Sequence, residues 1–304
     1  MHPLEKHCDK MKATESGTLY LVATPIGNLG DITLRALEVL RSVDLIAAED
    51  TRHTRKLLSY YDLRKRLISY HSHNAKQRSP ELLGRLQRGE NIALVTDSGT
   101  PGISDPGILI VAQALNAALP IVVLPGPAAF LAGLTASGLP PYPFAFLGFP
   151  PVRAGLRERF FARYADLPMT RVLYEAPQRL LKTLADLLRH WGNCKMAVAR
   201  ELTKVYEEVF RGSIEEALDH YRTGVRGELT LVVAGASASQ PETAEDSPWR
   251  QELLDALQEP HCTVKAATDR IVNRHQISRR TVYQAALQLR DGIDTETPPR
   301  LTSH

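Results

Sequence analysis

Short apolar runs alternate with helical patterns through the first 125 residues, and no other feature of the chain restricts its fold as much. Leu19-Tyr20-Leu21-Val22-Ala23, Asp44-Leu45-Ile46-Ala47-Ala48, Leu67-Ile68-Ser69-Tyr70, Ile92-Ala93-Leu94-Val95 and Ile121-Val122-Val123-Leu124 read as strands. The last two are apolar throughout, as strands covered on both faces are. Between the strands lie four helical patterns. Asp31 can cap the first, whose apolar positions include Leu34, Leu37, Val39 and Leu40, and a basic one runs to about Tyr61. The third is opened by Ser79-Pro80-Glu81 and closed by Gly89, and the fourth runs from Pro106 to about Ala118. This order predicts a parallel sheet with helices on both faces.

Pro125-Gly126-Pro127 and Pro140-Pro141-Tyr142-Pro143 interrupt the alternation. It resumes with strands expected near Phe144–Phe149, Arg171–Tyr174, Met196–Ala199 and Leu229–Ala234. The pattern therefore gives a loose leader at 1–16, an N-terminal α/β domain at 17–126 and a second α/β domain at 127–235. An Ala-, Ser-, Glu- and Pro-rich linker at 236–248 leads to a helical tail at 249–304. The tail reads as three short helices, Trp249–Gln258, Val264–His275 and Ser278–Arg290. The last two, with a turn near His275-Gln276-Ile277 and Ser278 as N-cap, have the outline of a helix-turn-helix, which plain three-helix bundles share.

Composition narrows the class further. A length of 304 residues suits two domains and an appendage, and a chain 43% hydrophobic and 23% charged is not disordered throughout. No apolar run reaches the roughly 18 residues of a membrane span, and the N-terminus lacks the apolar core of a secretion signal. Cys8, Cys194 and Cys262 are odd in number and scattered, which suits neither a disulfide framework nor a zinc site and is compatible with a reducing cytoplasm. The net charge of +3 is too small to identify a nucleic-acid partner by itself.

The chemistry is expected at the strand ends. Thr96 to Gly107 follows a buried strand and packs three glycines, two prolines and two aspartates into twelve residues, more than a simple turn needs. In a parallel α/β sheet, ligands gather at the carboxyl ends of strands, where glycines let backbone approach them closely. Three other strand ends are also rich in loop residues: Ala23 to Asp31, Ala48 to Arg52 and Leu124 to Ala128. The spacing of Gly27 and Gly30 is not the dinucleotide fingerprint, and no P-loop motif is present.

Thr18-Leu19-Tyr20-Leu21-Val22-Ala23-Thr24-Pro25-Ile26-Gly27-Asn28-Leu29-Gly30-Asp31, Ala48-Glu49-Asp50-Thr51-Arg52, the Asp97–Gly107 loop and Ala199-Arg200-Glu201-Leu202-Thr203-Lys204 resemble the tetrapyrrole methylase superfamily, in its ribosomal RNA branch. The glycine-proline loop and the Pro-Gly-Pro turn are shared across the superfamily, and the second and last segments point to the RNA branch. The resemblance implies two α/β domains of that type with a cofactor cleft between them, plus a small C-terminal helical domain. It also implies a homodimer, S-adenosyl-L-methionine as cofactor, and 2′-O-methylation of a cytidine in the decoding region of 16S rRNA, in the small ribosomal subunit. By motif, Pro25, Asp97, Gly99, Thr100, Pro101, Ile103, Ala128 and Ala129 would line the cofactor site. Many superfamily members carry a hydroxyl residue after Pro-Gly-Pro, where this chain has Ala128 and Ala129, so backbone contacts would have to serve there.

A ribose hydroxyl is a poor nucleophile at neutral pH, so a group should take its proton or stabilise its charge. The strand ends offer Glu49, Asp50, Glu201 and Lys204, with Arg200 or Lys204 for a developing alkoxide. Glu201 and Lys204 lead this set and Asp50 stands behind them. A solvated ion-pair edge is the bland alternative. Arg52, Arg55, Lys56, Arg64, Lys65 and Arg66 form a basic run beside Tyr60, Tyr61, His71 and His73, which suits an RNA track. Arg52, Arg55, Lys56, His71 and His73 are the expected RNA contacts. A second basic run, Arg153, Arg157, Arg159 and Arg163, has helical spacing. No metal site is expected. A methyltransferase acting on a tetrapyrrole and a ligand-sensing DNA-binding regulator remain as alternatives. Neither needs both the basic runs and four loop-rich strand ends.

Overall fold

The computed structural model describes residues 16–236, 248–259, 262–275 and, further on, 279, 282, 283, 285–287 and 289. Its first sheet contains β1 (Leu19–Val22), β2 (Leu45–Ala48), β3 (Leu67–Ser69), β4 (Ile92–Val95) and β5 (Ile121–Leu124). All five are parallel, in the order β3-β2-β4-β1-β5. Successive side chains in a strand point to opposite faces, and that parity assigns the helices. Val22, Ile46, Ala48, Ala93 and Val95 pack under α1 (Leu34–Ser42) and α2 (Thr51–Tyr60). Leu19, Leu21, Leu45, Ala47 and Leu94 pack under α3 (Ala75–Gln87) and α4 (Gly107–Asn116).

Two helix starts differ from the sequence expectation. Thr33, not Asp31, caps α1: its backbone is extended and its hydroxyl accepts from Ala36 N at 3.1 Å. Asp31 instead ends a single 3-10 turn over Leu29–Asp31, which the Asn28 side chain caps through Gly30 N. Helix α3 opens at Ala75 rather than at Ser79, so Pro80 lies inside it. Proline there removes one backbone donor. The buried Ser79 hydroxyl fastens the same turn, donating to Ala75 O at 2.7 Å and meeting Tyr70 Oη at 2.9 Å.

The second sheet follows α5 (Ala129–Ser137). In chain order it brings β6 (Phe144–Phe146), α6 (Ala154–Arg163), β7 (Thr170–Glu175), α7 (Leu180–Trp191), β8 (Lys195–Arg200), β9 (Glu208–Ser213), α8 (Ile214–His220) and β10 (Leu229–Val233). The order is β6-β7-β10-β8-β9, with β6 and β7 parallel and every other pair antiparallel. Phe161, Leu184, Leu187 and Ile214 cover one face against Leu173, Val198 and Leu231, while Leu134 of α5 packs on Val172, Ala197 and Val232 of the other. Strand β9 has no counterpart in the sequence reading, because Glu208-Val209-Phe210-Arg211-Gly212-Ser213 is a half-buried edge with no apolar run.

The second basic run divides: Arg153, Arg159 and Arg163 are exposed, whereas its remaining member turns inward. Arg157 is buried where α6 meets α7, its Nε 2.7 Å from Asp186 Oδ2. Further on, α9 (Pro248–Gln258) and α10 (Val264–His275) have the expected bounds to within a residue. Leu253, Ala256, Ala267 and Ile271 pack there with Val282 and Ala286. The turn that would decide a helix-turn-helix, at 276–278, lies outside the described residues, as do 1–15 and 237–247. Both sheets belong to one compact unit ending at Ser237, and the helices after it form another. No described helix is long and apolar enough to cross a membrane.

Candidate active site

Strand order places the site. From β1 the chain crosses to β2 on one side, and from β4 it crosses to β5 on the other. The loops after these two neighbouring strands therefore part, leaving a crevice at their carboxyl ends. Thr24 and Gly99 bridge the loops through two backbone bonds, Thr24 N to Gly99 O at 2.9 Å and Gly99 N to Thr24 O at 3.0 Å. Gly99 holds φ +84° there, a conformation that glycine adopts without strain. Asp105 ties the loop's far end: its carboxylate accepts from Gly102 N at 2.8 Å and from Gly107 N, at the start of α4, at 2.7 Å. The Thr100 hydroxyl donates to Pro127 O at 3.1 Å, joining the loop to the entry of α5.

A cavity of about 410 Å³ opens beside this loop, within the unit that holds both sheets. The first domain contributes Glu49, Asp97, Gly99, Thr100, Ile103 and Asp105, and the second contributes Phe130, Phe149, Tyr174, Glu175, Leu202 and Thr230 among others. A neighbouring cavity of about 330 Å³ shares Ile26, Thr96, Asp97, Ser98 and Glu228 with it. Pro25, His53, Thr54, Leu57 and Lys204 extend that second space.

Charge distinguishes the walls. The first cavity carries the carboxylates Glu49, Asp97, Asp105, Glu175 and Glu228 among apolar side chains. Burial pushes the Asp97 carboxyl up, although Asp50 N donates to it at 2.8 Å, and burial raises Asp105 in the same way. Glu175 is neutralised in place by Arg179, 2.9 Å away. Glu49 Oε2 accepts from the Thr96 hydroxyl at 2.6 Å. Such a lining repels anions and suits a cationic ligand with a flat apolar part. An adenosyl sulfonium fits that description.

Of the residues expected at the cofactor, Asp97, Gly99, Thr100, Ile103, Ala128 and Ala129 line the first cavity. Pro25 lines the second, and Pro101 lines neither. Of the four strand-end candidates for the proton, Glu49 lines the first cavity and Lys204 the second, while Glu201 and Asp50 line neither. Its Nζ lies 2.8 Å from Glu201 Oε1 and 3.0 Å from Glu228 Oε2. Burial opposes its charge, but those bonds outweigh it and raise the ammonium. Glu201 stands behind Lys204 at φ +50°, held well below the usual carboxylate range by Lys204 and by Glu228 N. Gly227 makes room for it, since a Cβ there would collide with the Glu201 side chain. Asp50 caps α2 and pairs with Arg52 at 2.9 Å, which together hold its pKa at about 2.

Of the expected RNA contacts, Arg52, Arg55 and Lys56 stand exposed on the outer face of α2, whose other face buries Thr54, Leu57 and Leu58. His73 is exposed. His71 is half-buried and bound to the Asn74 side chain at 3.2 Å, at the entry to α3. The sequence reading missed Tyr174, Glu175, Phe130, Phe149 and Thr230. The strand-end rule for parallel sheets does not say which end of an antiparallel strand faces a site. The available signal was Tyr174-Glu175-Ala176-Pro177, a polar, proline-marked close to an apolar strand.

The family model of the tetrapyrrole (corrin/porphyrin) methylases matches residues 18–218, so fold and cleft are of the methylase class. The uroporphyrin-III C-methyltransferase of Thermus thermophilus, solved with S-adenyl homocysteine, superposes with TM-score 0.54 at 21% identity, covering 72% of this chain and 98% of that one. The ribosomal RNA small subunit methyltransferase I of Synechocystis is 45% identical over 90% of this chain and 98% of its own. The protein of that name from Streptococcus pyogenes is 42% identical over 88% of this chain and 94% of its own. The chain belongs to the tetrapyrrole methylase family and, within it, to the ribosomal RNA small subunit methyltransferase I group.

Proposed function

We propose that this chain methylates the 2′-hydroxyl of a cytidine ribose in the decoding region of 16S rRNA, using S-adenosyl-L-methionine, and that it does so in the cytoplasm as a homodimer. The observation that carries this reading is the acidic, partly apolar cavity at the β1/β4 crevice, adjoined by a second cavity that Lys204 faces, in a chain 45% identical to a ribosomal RNA methyltransferase. The cofactor supplies a methyl group already activated on a sulfonium, so the protein's work is placement and exclusion of water. Asp97 and Glu49 complement the positive charge, and Gly99 lets the ligand lie against backbone. Ala128 and Ala129 leave the contacts at the entry of α5 to main chain. Across the shared wall, Lys204 presents an ammonium to the oxygen that develops negative charge, and Glu201 positions it. Arg52, Arg55 and Lys56 supply phosphate contacts beside this entrance.

A tetrapyrrole acceptor is the second reading. A methyl-transfer assay with labelled cofactor separates the two. Label is expected on 30S particles or their RNA and none on a tetrapyrrole precursor. Label on the precursor alone overturns the RNA reading.

A further inference from the structure

Resting on that reading, we infer that the second cavity receives the acceptor nucleoside and that His53 takes the proton from its ribose hydroxyl. The two cavities share a wall at Ile26, Thr96, Asp97, Ser98 and Glu228, so ligands in each meet over a few side chains rather than through a layer of protein. At about 330 Å³ the second space holds one nucleoside but not a duplex, which fits a single nucleotide turned out of its RNA. Its walls match that ligand. Leu29, Leu57 and Ile26 offer an apolar surface to a base, while Lys204, His53 and Asp97 are polar groups for the sugar.

Four ionisable side chains line this cavity, and three have other engagements. Lys204 is held protonated by Glu201 and Glu228, so it has no free position for a proton. Glu228 is bound to that ammonium, and its side chain is largely in solvent. Asp97 accepts from Asp50 N and belongs equally to the cofactor side, where its charge opposes the sulfonium. His53 remains. It lies in the first turn of α2, which fixes its backbone, and its imidazole makes no hydrogen bond to a described residue. Imidazole is the side chain suited to accepting a proton at neutral pH. As the hydroxyl O–H bond breaks, its proton passes to the imidazole. The oxygen forms its bond to the methyl carbon, and the carbon–sulfur bond breaks to leave a neutral thioether. The ammonium of Lys204 covers the oxygen's transient charge. Arg52 and Asp50, paired on the same turn, are engaged with each other.

The test uses the full-length enzyme with labelled cofactor and 30S particles, together with calorimetric cofactor affinity and RNA affinity. His53→Gln is expected to lower kcat by about 10²–10⁴-fold, the usual worth of a positioned acid–base group, with both affinities within about twofold. Leu29→Trp fills the second cavity without touching the first, so it should weaken the acceptor KM and leave cofactor affinity unchanged. Turnover of His53→Gln within about threefold of wild type overturns the proton assignment, as does a loss that merely follows weakened binding. An unchanged acceptor KM in Leu29→Trp overturns the cavity assignment. A wild-type enzyme that binds cofactor yet labels no ribosomal RNA overturns the underlying reading, and the inference with it.

Discussion

At the scale of single residues, two glycines in one loop do different work. Gly99 and Gly102 both hold positive φ, +84° and +90°, so a side chain at either position carries the same kind of backbone strain. That strain is worth about 1–2 kcal/mol. Gly99 borders the first cavity, whereas nothing stands within 4 Å of a Cβ at Gly102 and it does not line the cavity. Gly99→Val should therefore abolish cofactor binding, while Gly102→Ala should lower Tm but leave affinity within a few-fold. Calorimetry with thermal denaturation on both variants separates strain from a blocked approach. Equal loss of binding in both would show that backbone strain alone accounts for the Gly99 effect. The Glu201–Lys204 pair yields a second expectation. Lys204→Met should cut kcat by about 10²-fold, the usual cost of one donor to a developing oxyanion. Glu201 has its pKa depressed in the folded chain, so its contribution to stability is complete above the ordinary value of 4.5 and fades as pH falls through the folded value. The Tm gap between wild type and Glu201→Gln should accordingly be widest near neutrality and close in acid. A gap that persists unchanged in acid would mean that the ion pair contributes nothing.

Among elements, α2 and α6 show how one kind of sequence signal leads to two outcomes. Both carry arginines at helical spacing. Helix α2 packs its apolar face on the sheet and turns Arg52, Arg55 and Lys56 outward, whereas α6 lies against α7 and uses the buried Arg157 to reach the half-buried Asp186. Neutral replacements at Arg55 and Lys56 should weaken RNA binding and reduce its salt slope by roughly 0.7–0.9 per lost phosphate contact. Cofactor affinity should not move. Arg157→Ala should do the reverse, leaving RNA binding intact and destabilising the fold by about 1–3 kcal/mol, because the half-buried Asp186 keeps only the longer contact to Arg189 at 3.7 Å. Denaturant melts and filter binding on the two sets check the contrast. An unaltered salt slope for the α2 variants would leave that face merely solvated.

For the molecule as a whole, the first sheet ends at β5, and Val123 is 54% exposed on that edge. Leu131 of α5 and Phe144, on the edge strand β6 of the second sheet, are also bare. Apolar edges left open are a site for association, so Val123→Lys with Leu131→Glu should convert the expected homodimer to a monomer in sedimentation. A dimer that survives both changes forms elsewhere. The sequence by itself determined the parallel sheet, the helices over both of its faces and the glycine- and proline-rich loop after β4, because each is a local matter. Four-residue apolar runs are buried strands, a strand's carboxyl end is where loops collect, and glycines and prolines between them mark where backbone must turn. Only the tertiary structure decided the rest. It set the mostly antiparallel second sheet, the unannounced β9, the buried role of Arg157 and the walls given by Tyr174, Glu175 and Thr230. It also decided that Lys204 and His53, 151 positions apart in the chain, line one cavity. Residue pattern fixes which side of a strand or helix is apolar, but which surfaces meet across the cleft depends on contacts between residues far apart in sequence.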